Sequence, residues 1–247
     1  EGPVMRIRVR FVKVGKVRWT SHRDLARVWE RAIRRVGLPV AYSQGFSPRP
    51  KVHFGLALST GHESLAEYLD IDLDPAHAAT PAETELADLI GPLSAALPVG
   101  IDVTAIGVIP TSLDSLQQAV TSCSWEIEVR GAAPEPMVAA IDRVLAETEL
   151  LLTRERKGKA VTDDVRSYLL DLSVVGPTDA GTQIRAHLAT QPRGLRIGEL
   201  IAVLDPAWEE GRVRRTNQWM LLDGARCEPL EAPTEAASAP HAEARAS

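Results

Sequence analysis

Arg23, Arg27 and Arg31 stand four residues apart in the stretch T-S-H-R-D-L-A-R-V-W-E-R-A-I-R-R-V-G, residues 20–37. On a helix that spacing stacks three cations on one face, where each neighbouring like-charge pair costs a few tenths of a kcal/mol, on the order of 0.2–0.5. A solvated helix face usually mixes signs. Here only Asp24 and Glu30 interrupt, and Glu30 is placed to pair with Arg34. The chemistry such a stripe suits is contact with phosphates or another polyanion.

A second cluster follows in Y-S-Q-G-F-S-P-R-P-K-V-H-F-G, residues 42–55, where Tyr42 and Phe46 alternate with Arg49, Lys51 and His53. Cations interleaved with aromatics suit single-stranded nucleic acid, whose bases stack while its phosphates pair. Gly45 is expected at a positive φ or against a ligand backbone, with Pro48 and Pro50 stiffening the approach of Arg49 and Lys51. The plainer alternative is a proline-stiffened connection with Phe46 in the core. A third basic run, Arg154, Arg156, Lys157 and Lys159 around Gly158, reads as a hairpin tip that is either a phosphate clamp or a solubilising turn. Arg212, Arg214 and Arg215 read as charge protecting an edge strand.

Catalysis needs more than cations. Metal-independent RNA cleavage requires a base for the 2′-oxygen, an acid for the leaving oxygen and a cation for the phosphorane. His22, His53 and an arginine have the right functional groups, but no spacing joins them. Glu63, Glu67, Asp70 and Asp72 alternate as strand residues do, and no metal site is expected from them. Cys123 and Cys227 have no Cys or His at zinc-ligand spacing, and no C-x-x-x-C-x-x-C is present to hold an iron–sulfur cluster. No metal or cofactor is expected.

The charge is strongly polarised. Residues 1–56 hold thirteen Lys or Arg against three acids, a local +10 in a chain of net −5, which leaves −15 for residues 57–247. No run approaches the roughly 18 apolar residues of a membrane span, so a cytoplasmic protein without a membrane partner is expected.

The elements that must position these groups follow from periodicity. Met5–Val14 alternates as a strand with Arg6, Arg8, Arg10 and Lys13 facing water. Ser21 caps a helix ending at Gly37, with Leu25, Val28, Trp29, Ala32, Ile33 and Val36 buried. Strands are predicted at 51–58, 66–73 and 101–109, and a helix at 81–97. This β-α-β-β-α-β order predicts a ferredoxin-like domain over residues 5–112. A looser repeat, with helices at 135–147 and 197–204, predicts a second one over 113–230. The fold class is therefore α+β, two tandem ferredoxin-like halves. Residues 1–4 read as a disordered leader, and residues 231–247, rich in Ala, Pro, Ser and Glu, as a disordered tail.

T-S-H-R-D-L-x-R, Y-S-Q-G-F-S-P-R-P-K, G-x-E-S-x-A-E-Y-x-D and the R-x-R-K-G-K run together resemble the bacterial radical-SAM-linked proteins, over residues 5–175. In that family the domain is free-standing or fused to a radical S-adenosylmethionine protein with a cobalamin-binding-like region. The resemblance implies an accessory of RNA or ribosome modification. The expected function is thus non-catalytic RNA binding (tRNA, rRNA or the ribosome) beside a separate radical S-adenosylmethionine protein. A metal-independent endoribonuclease using His22 and His53, and a protein–protein adaptor, are the alternatives.

Overall fold

The computed structural model describes residues 4–156 and 158–231. The expected leader over residues 1–3, the tail beyond residue 231 and the cation at Lys157 lie outside them. The chain is α+β. In order it forms β1 (Met5–Lys13), α1 (His22–Val36), β2 (Val52–Phe54), β3 (Glu63–Leu73), α2 (Ile90–Ala96), β4 (Ile101–Ile109), α3 (Leu116–Ala119), β5 (Val120–Arg130), α4 (Pro134–Ala146), β6 (Leu151–Arg156), β7 (Lys159–Asp164), β8 (Leu169–Pro177), β9 (Gly181–Ala189), α5 (Ile197–Leu204), β10 (Glu209–Leu222) and β11 (Ala225–Cys227). Nine strands share one mixed sheet, ordered β4-β1-β3-β10-β5-β9-β8, with β2 on β3 and β11 on β10; β6 and β7 form a separate hairpin.

The first half pairs β4-β1-β3-β2 and the second β10-β5-β9-β8, all antiparallel. They are joined where β10 runs parallel to β3, Arg214 opposite Glu63 and Arg215 opposite Ser64. That junction corrects the edge-strand reading of Arg212–Arg215, because β10 lies between β3 and β5 in the sheet's interior. Each half has its own apolar core. Ile7, Val9, Phe11, Leu69 and Ile71 pack under α1 and α2, whereas Ile127, Val129, Ile184 and Val213 pack under α4 and α5.

The alternation of β1 is real, but its charged side does not face water. Arg8 is 0% exposed and Lys13 1%. Register explains the first, since Arg6 and Arg8 lie opposite Asp72 and Asp70 on β3. Arg8 donates from Nε and Nη2 to Asp70 at 2.7 and 2.9 Å, and from Nη1 to the Pro229 carbonyl at 3.0 Å. Arg6 binds Asp72 in the same forked way, at 2.6 and 3.2 Å. Arg10 donates to the Tyr68 hydroxyl at 3.1 Å. Burial, then Glu228, pushes that phenol up to about 12. Lys13 donates to the Thr20 carbonyl at 2.9 Å, and burial lowers its pKa.

The helix expected over 81–97 is divided. Glu83–Leu89 winds as a 3₁₀ turn and α2 begins only at Ile90. Pro92 has no N–H to bond back to Asp88 and its ring crowds that carbonyl, which favours a helix that starts just before it over one unbroken helix.

Candidate nucleic-acid interface

α1 is set as its caps dictate. The Ser21 hydroxyl accepts from the Asp24 N–H at 3.2 Å and donates to the Asp24 carboxylate at 2.8 Å. At the other end Gly37 adopts φ 75°, a left-handed turn that glycine enters without a Cβ penalty, and its N–H reaches the Arg34 carbonyl. Trp29 is fully buried edge-on to Phe11, ring centres 4.9 Å apart. With this face fixed inward, the helical period puts Arg23, Arg27, Arg31, Arg34 and Arg35 outward, and all five are exposed. Among the described residues only Arg27 of these is in an ion pair, with Asp24 at 3.3 Å. The expected Glu30–Arg34 pair is not made.

The loop after α1 is closed at its neck. The Ser43 N–H donates to the Arg49 carbonyl at 2.9 Å, the Arg49 N–H to the Ser43 hydroxyl at 3.0 Å, and the Lys51 N–H to the Ala41 carbonyl at 2.9 Å. This leaves Gln44–Pro48 as a projecting tip, with Gly45 at φ 130°. Phe46 is fully exposed there and Tyr42 half-exposed, so Phe46 is not a core residue. Arg49 is exposed and Lys51 partly buried. Helix and loop meet at a cavity of about 360 Å³, lined by Glu30 and Arg34 from α1 and by Tyr42 and Pro50 from the loop.

The other sequence candidates lie elsewhere. Arg154 pairs with Glu199 on α5 at 3.0 Å and lies 3.9 Å from Asp163, so it ties the β6–β7 hairpin to the body and is not a free clamp. Lys159 is exposed beside the hairpin turn. Arg156 takes its place on β6 opposite Lys159. His22 stacks edge-on against Phe54, centres 5.5 Å apart, whereas His53 lies opposite Asp70 on the next position of β2. Among the described residues no hydrogen bond or ring contact joins His22 to His53.

Sequence reasoning missed a buried polar group between the halves. Arg215 is 2% exposed, donates to Glu67 at 2.6 Å and to the Leu56 carbonyl at 2.9 Å, and lies over the Trp125 ring at 5.5 Å. His62 Nε2 is 2.7 Å from Glu210, and its Nδ1 is buried without a partner. Arg215, His62, Trp125 and Cys123 line a cavity of about 310 Å³. Burial pushes the Cys123 thiol up to about 11 despite Arg215 beside it, so at neutral pH it is a protonated thiol rather than a nucleophile. Glu63 is fully buried and receives Arg212, Arg214 and the Gly15 N–H at about 3 Å. The repeated Glu-x-x-x-Glu of β3 and the Arg-x-Arg-Arg of β10 were the available signal, about 150 residues apart. Among the described residues no cluster of His, Cys, Asp or Glu is arranged to hold a metal, and no helix is long and apolar enough to cross a membrane.

Residues 6–196 match the family described as "Uncharacterized protein conserved in bacteria (DUF2344)". The chain belongs to this family. The DUF2344 match takes in α1, the Phe46 loop and β3, and ends before Arg212, Arg214 and Arg215, which neutralise Glu63 and Glu67. No curated protein matches the chain. Among solved structures, one described as "Crystal Structure of an Unknown Protein from Galdieria sulphuraria" aligns over 85% of this chain and 99% of its own, with 15% identity and a TM-score of 0.26.

Proposed function

We propose that this protein binds single-stranded or unpaired RNA on the face formed by α1 and the Phe46 loop, as a non-catalytic accessory to a radical S-adenosylmethionine enzyme acting in RNA or ribosome modification. The observation that carries the RNA reading is the adjacency of two features, which touch at the cavity lined by Arg34 and Tyr42. One is a row of exposed, largely unneutralised arginines; the other is a neck-closed loop presenting Phe46 and Tyr42 to solvent. Phosphates pair with the row while bases stack on the aromatics. The neck hydrogen bonds, made by the Arg49 backbone, and the prolines fix the loop backbone from which Arg49 projects, which lowers the cost of ordering the loop on binding. We read each half of the sheet as ferredoxin-like on its strand order, β4-β1-β3-β2 and β10-β5-β9-β8. The link to a radical enzyme is supported by the resemblance of the quoted motifs, and RNA itself by the geometry.

Ultraviolet cross-linking in cells, with sequencing of the RNA and mapping of the cross-linked peptides, tests the reading. Cross-links are expected at Tyr42 and Phe46, and they should disappear in an Arg49→Ala/Lys51→Ala variant that stays folded. RNA recovered equally with that variant, or cross-links confined to β6–β7, would overturn it.

A further inference from the structure

The cavity between α1 and the loop holds a contradiction if its only purpose is to attract phosphate. Arg34 of the arginine helix lines it, yet so do Glu30 and Asp74. Among the described residues neither carboxylate is in an ion pair with Arg34 or any other cation. A carboxylate repels phosphate and accepts from N–H or O–H donors, so a ligand that fits here presents donors to it. Its lining is largely apolar, with Ile33, Leu38 and Val40 beside Tyr42 and Pro50. A volume of about 360 Å³ is within the range of small-molecule pockets, roughly 300–1,000 Å³. An apolar lining that includes an aromatic ring and a few hydrogen-bonding groups suits a planar heterocycle.

The hydrogen-bonding groups narrow the choice. Asp74 already uses one oxygen, accepting from the Ala76 N–H at 3.0 Å. Both oxygens of Glu30 are unengaged among the described residues. His77 Nδ1 accepts from the Ala79 N–H at 3.1 Å, which places the ring proton on Nε2 and makes that nitrogen a donor. The lining therefore combines an acceptor pair at Glu30 with donors at His77 and Arg34. Guanine is the base whose Watson–Crick edge places two donors, N1–H and N2–H₂, side by side and next to the acceptor O6. Adenine and cytosine each present one amine beside an acceptor nitrogen that a carboxylate would oppose, and uracil presents one N–H between two carbonyls.

We propose that this cavity is a guanine seat, in which Glu30 accepts from N1–H and N2–H₂ and the base lies against Tyr42, so that the RNA bound by the arginine row is read at one unpaired guanosine. The inference rests on the RNA-binding reading and supplies its sequence preference.

The test is fluorescence anisotropy with a ten-nucleotide oligouridine and the same oligomer carrying one central guanosine, adenosine, cytidine or inosine, at several salt concentrations. A bidentate base contact discriminates by about 1–3 kcal/mol, so guanosine should tighten binding roughly tenfold or more over the other bases. Inosine, which lacks the N2 amine, should lose most of that gain. Glu30→Gln should erase the guanosine preference while oligouridine binds as well as before or better. If Glu30 only balances charge on the helix, Glu30→Gln tightens every oligomer equally and leaves the base order unchanged, which overturns the proposal. Steep salt dependence with no base preference overturns the guanine seat and leaves the RNA reading standing. No binding of any oligomer overturns both.

Discussion

Arg6, Arg8 and Arg10 on β1 and Arg23, Arg27 and Arg31 on α1 belong to the same basic segment, and the fold treats them in opposite ways. Those on β1 face a covered side of the sheet. Arg6 and Arg8 are each forked onto an aspartate, and Arg10 lies between Tyr68 and Glu228, 3.7 Å from the latter. Those on α1 are exposed, and among the described residues only Arg27 is in an ion pair, with Asp24. The difference teaches that local net charge does not measure surface potential. Part of the +10 over residues 1–56 is cancelled inside the molecule, where Asp72 and Asp70 take Arg6 and Arg8. What remains outward is concentrated on one helix and one loop.

The sharpest way to break this comparison is to remove a cation from each region and compare stability. Arg8→Met leaves Asp70 buried without its partner and should destabilise by about 3–5 kcal/mol in denaturant unfolding. Adding Asp70→Leu should restore much of that loss, because the apolar pair leaves no uncompensated charge. If Arg8→Met alone were neutral, the β1 arginines would be surface groups after all. Trp29→Ala should also cost about 3–5 kcal/mol, since it empties the centre of the core that turns the arginine row outward.

A smaller effect appears with pH. Burial pushes the Glu63 pKa up, but the Gly15 N–H and the Arg214 and Arg212 guanidiniums outweigh it and hold the carboxyl below its ordinary value. A folded-state pKa below the unfolded one, about 4.3, means the contribution is complete above that value and is lost as pH falls through the folded pKa. Stability should therefore fall with acidification below about pH 4.3, and Glu63→Gln, weaker at neutral pH, should show a flatter decline. Parallel acid-unfolding curves for the two proteins would remove Glu63 from the account.

These contrasts also mark what was legible in the chain. The caps of α1, its buried stripe and the strand at 101–109 depend on neighbours within a few residues, and they were read correctly. The projecting Phe46 loop was recognisable from Gly45, Pro48 and Pro50. The fate of β1 was not, because alternation says which residues share a face and not what covers it. Its cover includes the Pro229 carbonyl, from the far end of the described chain. The same limit hid Arg215, which pairs with a glutamate 148 residues earlier, and the His62–Glu210 contact across an equal separation. The carboxylates of the guanine seat come from a helix and from a turn beyond β3, so only the fold brings them to one cavity.

The least effect on stability and the greatest on function are expected from the same substitutions. Arg23→Gln/Arg27→Gln/Arg31→Gln should move Tm by only a few degrees, about 4 °C at most, since these side chains are exposed. The decisive measurement is the salt dependence of single-stranded RNA binding for this triple variant beside the unaltered protein. Loss of three phosphate contacts should flatten the slope of log K against log salt by about 2, at roughly 0.7 per contact. An unchanged slope would contradict the account and leave the arginine row a solvated helix face.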